Sequence, residues 1–339
     1  MNNNDNQTIK RTGIRPESKI NEKYKIIRSI GNGGMGSVFQ VRLKNSDDST
    51  SYALKFLNNN GNPVSRERFK NEVNLLKKIN HKHIPRIIEN YEDEFECYYV
   101  MEYIDGDTLY SILKKTKRLT IGLANNYIRQ VAETLGELHS RNIIHRDLKS
   151  QNIMISKDHD VKILDLGISV SQDTKKLTRE NSVVCSPYYA APEFLNANLK
   201  KTKAVDIYSL GILYFEMITG HYPFSGKSDV ETIVMHRDKE FPEPNKFVAM
   251  PNSVRNIIIK ATAKNPNDRY KDVWEFRNDV KTSLNDERKI EKLISIKTIK
   301  PKRTIEGFIN SPIFLGISLL LITVSILVVV ILLKVWKLI

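Results

Sequence analysis

"HRDLKSQN", residues 145–152, places two cations, a histidine, an acid and two amides between the runs "NII" (142–144) and "IMI" (153–155). A charged octapeptide is ordinarily a solvated turn. The alternative is a loop whose polar atoms face a cleft, and the surrounding chain decides between the two. Downstream stand "DLG" (165–167) and "APE" (191–193). Upstream, "IGNGGMGSV" (30–38) is a glycine-rich turn between two predicted strands, and glycine there permits close backbone approach to a ligand. Three spaced glycines are a weak signal alone, and an ordinary hairpin explains them as well. A dinucleotide-binding turn would open a helix, whereas "SVFQVRL" continues as strand. "YALK" ends an apolar strand on Lys55, which points its ammonium at a cleft unless the strand is an edge. Glu72, in the helical run "FKNEVNLL", is its candidate partner.

The pattern around these motifs changes character along the chain. "YKIIRSI", "GSVFQVRL", "SYALKFL" and "ECYYVMEYI" read as strands. "RERFKNEVNLLKKI" reads as a helix with Phe69, Val73, Leu76 and Ile79 on one face. After residue 108 helices dominate. "TIGLANNYIRQVAETLGELHS" has Thr120 as N-cap. "AVDIYSLGILYFEMITG" is apolar nearly all round and is expected to be buried. "SDVETIVMHR" has Ser228 and Glu231 in capping-box spacing. "VRNIIIKATA" and "VWEFRNDVKTSL" are two further helices. A strand-rich part followed by a helix-rich part predicts a two-lobed α+β fold. The runs flanking 145–152 are expected to be two short strands that hold the polar loop.

The order glycine loop, strand lysine, helix glutamate, HRD-x4-N, D-x-G and APE resembles the protein kinase family over about residues 24–285. It is most similar to the bacterial, membrane-anchored, eukaryotic-like serine/threonine kinases. The resemblance implies ATP and Mg²⁺ (or Mn²⁺) as cofactors and protein serine and threonine hydroxyls as acceptors. It implies that Asp147 orients the acceptor hydroxyl and takes its proton, and that Lys149 stabilises the transferred phosphoryl group. Asn152 and Asp165 would hold the metal, and Lys55, tethered by Glu72, would fix the α- and β-phosphates. The nucleotide would lie under Ile30, Gly31, Asn32, Gly33, Gly34, Met35, Gly36, Ser37 and Val38. Ala53 would roof the adenine, Met154 floor it and Met101 gate it, and Glu102, Tyr103 and Ile104 would supply hinge backbone groups. For each apolar residue taken singly, core packing is the simpler account. Lys149 matches the serine/threonine branch. Arg146 matches kinases ordered by phosphorylation of the segment 165–193, which offers Thr174, Thr178, Ser182 and Ser186. Asp206 would support the catalytic loop, and Arg269 would pair with Glu193. "DLG" stands where the family commonly has Asp-Phe-Gly, which alters packing rather than chemistry.

The 339 residues carry a formal net charge of +14. Residues 286–303 hold seven Lys/Arg against three Asp/Glu, which with the two ends leaves +7 for residues 24–285. A nucleic-acid partner is therefore not favoured. Two cysteines, Cys97 and Cys185, form neither a disulfide framework nor a zinc site and fit a reducing compartment. Residues 1–23 are polar and read as a disordered tail with no leader sequence. "IFLGISLLLITVSILVVVILL" (313–333) is 21 residues without a charge. As a helix it reaches about 31 Å, enough to cross a bilayer. Four basic residues at 297–303 precede it against Lys334 and Lys337 after it, which predicts residues 1–312 in the cytosol and 334–339 outside. Residues 286–312 are expected to be a basic linker. Two other readings compete. A pseudokinase scaffold predicts loss of Lys55, Asp147, Asn152 or Asp165, and all are present. A polyanion-binding module would use the basic run, which topology and anionic lipid explain more simply. A homodimer through the strand-rich lobe or the span is compatible with the sequence.

Overall fold

The structure is a computed structural model describing residues 14–32, 36–45, 49–58, 62–166, 186–196 and 201–295, with Phe314, Gly316, Ser318, Leu321, Thr323 and Ser325 beyond them. Residues 1–299 and 300–339 are separate units. In the first, strands β1 (Tyr24–Asn32), β2 (Gly36–Leu43), β3 (Tyr52–Leu57), β4 (Ile87–Glu92) and β5 (Cys97–Glu102) form an antiparallel sheet in the order β1-β2-β3-β5-β4. Strand alternation sorts its side chains. Ala53 and Leu57 of β3 and Cys97, Tyr99 and Met101 of β5 join the core shared with the helical lobe. Leu54, Phe56, Tyr98 and Val100 point the other way into a second cluster. Lys55, between Ala53 and Leu57, is thereby carried to the inner face.

That face is crossed by helix α2 (Pro63–Lys78). Asn62 caps it, accepting from Val64 N and Ser65 N at 3.0 and 3.4 Å, and Pro63 fits its first turn. Phe69, Val73, Leu76 and Ile79 are buried as the spacing predicts. A hairpin-like sheet of β6 (Gly106–Thr108), β7 (Ile153–Ser156) and β8 (Val161–Ile163) lies beyond, in the order β6-β7-β8. The helical lobe comprises α3 (Leu109–Thr116), α4 (Ile121–Ser140), α5 (Ala204–Thr219), α6 (Asp229–Asp238), α7 (Asn252–Ala261), α8 (Val273–Thr282) and α9 (Asp286–Lys289). Every residue of α5 from Val205 to Thr219 is buried. Thr120 caps α4 and Ser228 caps α6. Glu231 does not close the expected capping box; its carboxylate accepts from Lys227 N at 2.6 Å.

Three further expectations are corrected. The run 142–144 is not a strand: Ile143 and Ile144 pack half-buried against the core, and β7 finds its partners in β6 and β8 instead. The N-terminal tail is not unstructured throughout. Helix α1 (Lys19–Lys23) precedes β1, and Ile14 and Ile20 are buried under the outer face of the sheet. The polar segment is ordered because Ser18 caps α1 and also donates to Glu96, which accepts from Lys19 N at 2.8 Å. Finally, residues 286–295 belong to the folded body rather than to a linker. Asn252 and Asn256 donate to the Glu291 and Lys292 carbonyls, and Arg255 Nη1 donates to the Ile294 carbonyl at 2.7 Å. Among the described residues no helix is long and apolar enough to cross a membrane. The expected span 313–333 falls largely outside the described residues; the six described positions in it are helical.

Candidate active site

Lys55 Nζ lies 2.7 Å from Glu72 Oε1 and 3.0 Å from Asp165 Oδ1. Glu72 Oε1 also accepts from Tyr99 OH at 2.8 Å. Burial opposes the charge on Lys55, but Tyr99, Glu72 and Asp165 outweigh it and the ammonium is held well above its ordinary range. The Lys55 charge in turn holds Asp165 below the usual carboxylate range, so both ions persist at neutral pH. The strand lysine, the helix glutamate and the acid after β8 are thus brought together.

The loop 145–152 is fixed from below by Asp206, the third residue of α5, which is fully buried. Its Oδ2 accepts from His145 N at 2.9 Å and from His139 Nε2 at 2.8 Å, and its Oδ1 from Arg146 N at 2.8 Å. Arg146 takes φ 66°, a left-handed conformation costly to a non-glycine residue, and these amide bonds hold it there. Burial lowers the pKa of His145, keeping its ring neutral. Above this anchor, Lys149 Nζ donates to Asp147 Oδ2 at 2.7 Å, and Asn152 Nδ2 donates to the Asp147 carbonyl at 3.0 Å and to Oδ2 at 3.3 Å. Arg269 grips Glu193 through two parallel bonds of 2.7 and 2.8 Å, as expected.

The nucleotide-side residues sort less completely. Gly33, Gly34, Met35 and Gly167 lie outside the described residues. Gly31 pairs with Val38 across β1 and β2, and Gly36 pairs with Leu57 across β2 and β3. A Cβ on Gly36 would stand 2.2 Å from the Phe56 carbonyl, so only glycine fits. Ile30 is exposed at the end of β1, while Val38 packs against the core. The Ser37 hydroxyl is 2.6 Å from Asn32 Oδ1 and 2.8 Å from Asn58 Oδ1. Ala53 pairs with Met101 across β3 and β5, and both are buried. The Glu102 amide donates to the Arg86 carbonyl and its carboxylate pairs with Lys162 at 2.7 Å, so that hinge residue is held by the sheet. Tyr103 OH accepts from Arg28 Nη2 at 3.0 Å, and Ile104 is buried. Met154 is half-buried on β7. Among the described residues no three His, Cys, Asp or Glu converge to hold a metal. Asp165 and Asn152 nevertheless fit Mg²⁺, a hard cation that takes one or two protein oxygens and completes its shell from phosphates and water. The amide nitrogen of Asn152 is turned to Asp147, which leaves its oxygen as the ligand atom.

One functional residue escaped the sequence reading. Ser186 stands in the segment that offers phosphate acceptors, yet its hydroxyl donates to Asp147 Oδ1 at 2.8 Å and its amide reaches the same oxygen at 3.3 Å. Its place five residues before "APE" was the only available signal. Thr174, Thr178 and Ser182 lie outside the described residues.

A family model described as the protein kinase domain matches residues 24–277. The chain is 35% identical over 281 residues to the serine/threonine-protein kinase PrkC of Bacillus subtilis, which covers 82% of this chain and 43% of that protein. It is 35% identical over 277 residues to a probable serine/threonine-protein kinase PknB of Lactococcus lactis, covering 80% and 44%. It is also 30% identical over 265 residues to the calcium/calmodulin-dependent protein kinase type 1 of Caenorhabditis elegans, covering 76% and 74%. The chain spans less than half the length of these two bacterial relatives.

Proposed function

Because the chain belongs to the protein kinase family, we propose that it transfers the γ-phosphoryl group of ATP to serine and threonine hydroxyls of proteins, its own included. The observation that carries this reading is the Lys55 ammonium bonded to both Glu72 and Asp165, with Asp147, Lys149 and Asn152 interlinked on the loop behind. Phosphoryl transfer asks for positioned charge more than for covalent chemistry. Lys55 binds the α- and β-phosphates, Asp147 orients the acceptor hydroxyl and takes its proton, and Lys149 faces the transferred group. Asp165 and Asn152 would hold Mg²⁺, which when bound would neutralise charge on the phosphates. The full chain with Mg²⁺ and γ-labelled ATP should label itself. Asp147→Asn should keep ATP binding and lose the label, and a folded Asp147→Asn protein that labels like wild type would end this assignment.

The same reading extends to regulation and place. Arg146 Nε is buried with no hydrogen-bond partner among the described residues. Burial lowers the pKa of Lys201, the Glu193 carboxylate offsets part of this and the Arg146 charge lowers it further, so two cations share a neighbourhood that a further anion would favour. A phosphate on Thr174, Thr178 or Ser182 is that anion. Residues 313–333 anchor the chain in a membrane as a single span, with the catalytic part cytoplasmic and residues 334–339 outside. The absence of charge over 21 residues supports this. Mass spectrometry of the labelled chain tests the first point, and dominant phosphotyrosine would contradict it. Retention in membranes through a carbonate wash tests the second.

A further inference from the structure

Helix α5 is buried all round yet carries two carboxylates. Asp206 is accounted for by the amides it accepts. Glu216, ten residues on and 5% exposed, has no part in the chemistry above. Its Oε1 accepts from the Ser150 hydroxyl at 3.0 Å and its Oε2 from the Tyr189 hydroxyl at 2.5 Å. Ser150 and Tyr189 also touch each other: their hydroxyls are 3.0 Å apart, and Ser150 N reaches the tyrosine oxygen at 3.3 Å. These two residues belong to the two segments that grip Asp147. Ser150 follows Lys149 directly, and Tyr189 closes the short turn that begins just after Ser186. Lys149 and Asn152 hold one Asp147 oxygen, and Ser186 holds the other.

We propose that Glu216 is a positioning residue for phosphoryl transfer, fixing the loop that carries Asp147 and Lys149 against the Ser186–Tyr189 segment through Ser150 and Tyr189. The proposal rests on the kinase reading and adds a part to it. An ionised carboxylate can accept from both hydroxyls at once, whereas the protonated acid must donate from one oxygen and disturb that pairing. Burial pushes the Glu216 carboxyl up to about 7, with the Tyr189, Ser150 and Tyr222 hydroxyls pulling the other way. The titratable groups facing it among the described residues are Tyr189 and Tyr222, both pushed up chiefly by their own burial, and no described ammonium or guanidinium offsets it. The brace therefore changes state within the working pH range.

The test compares the full chain with Glu216→Gln and Ser150→Ala, by pH-dependent kinetics and by hydrogen exchange of residues 145–152. Wild type should lose kcat as pH falls through about 7, with KM for ATP little changed. Glu216→Gln should lower kcat at least about tenfold and abolish that acidic limb. Ser150→Ala should lower kcat less and move the limb to higher pH, because the ionised form loses a donor. Both variants should speed exchange in 145–152. A purely structural role would lower the melting temperature and leave the limb in place. Wild-type kcat and an unchanged limb in Glu216→Gln, or unchanged exchange in both variants, overturns the proposal. If Glu216→Gln fails to fold, Ser150→Ala decides alone. A wild-type chain with no transferase activity refutes the kinase reading, and the exchange measurement still judges the brace.

Discussion

Two buried ionisable residues show how environment, more than residue type, sets what a side chain does. Asp206 is fully buried, and two backbone amides and an imidazole point at its carboxylate. Asp206→Ala would orphan those donors and release the strained Arg146, destabilising the protein by on the order of 3–5 kcal/mol. A combined loss of melting temperature and kinase activity checks this, and a variant with native activity would contradict it. Lys264 has no such support. It is buried, donates to the His236 carbonyl at 2.5 Å and sits over the Phe224 ring. Burial lowers its pKa to about 7, and the Arg269 charge adds to the effect. The unfolded chain keeps that proton up to the ordinary lysine range, so stability rises with pH from about 7 toward 10.5 and the penalty is complete below 7. Lys264→Met should therefore raise the melting temperature more at pH 6 than at pH 9. An equal gain at both would show that the ammonium is not the cause.

At the scale of elements, close packing around α5 is the most demanding feature. A Cβ on Gly211 would stand 2.7 Å from the Ala261 Cβ and 2.8 Å from Thr262 Cγ2, which lets α5 and α7 approach closely. Gly211→Ala should cost roughly 1–3 kcal/mol despite the helix propensity it gains, read as a lower denaturant midpoint with an unchanged slope. The large elements were legible because their apolar spacing is regular, as in the buried face of α2 and the all-round apolarity of α5. Strand β4, "IIENYE", was missed. Its positions alternate between half-buried and exposed, but the residue types do not: Ile88 is exposed while Glu89 is half-buried, and β5 offers the pairing edge. Helix α1 was missed because five residues are too few to show a period. The candidate catalytic residues were legible as a set because their types and order resemble the motifs of the protein kinase family. Ser186, Ser150 and Glu216 were not, because nothing in a linear pattern says that residues 27 to 66 positions apart share hydrogen bonds.

Over the whole molecule, the sheet is covered on both faces, by α2 and the helical lobe within and by the segment Ile14–Lys23 without. Removing residues 1–23 would expose Tyr24, Phe39, Val41, Leu54, Phe56, Tyr98 and Val100, an apolar patch on a strand surface. The truncated chain should melt lower and associate in light scattering; an equally stable monomer would show the segment to be dispensable. The latch that holds this segment joins Ser18 to Glu96, 78 residues later. During synthesis the cover is made first and its docking site last. At about 5–20 residues per second, Ser18 waits roughly 4–16 s for Glu96 to be made. From the completion of β3 at Leu57 until Glu96 is made, strands β1 to β3 carry an uncovered outer face. The segment at the start of the chain is therefore a late-closing piece of the lobe, and the nascent protein passes through a window in which chaperones and sister chains compete for the same surface.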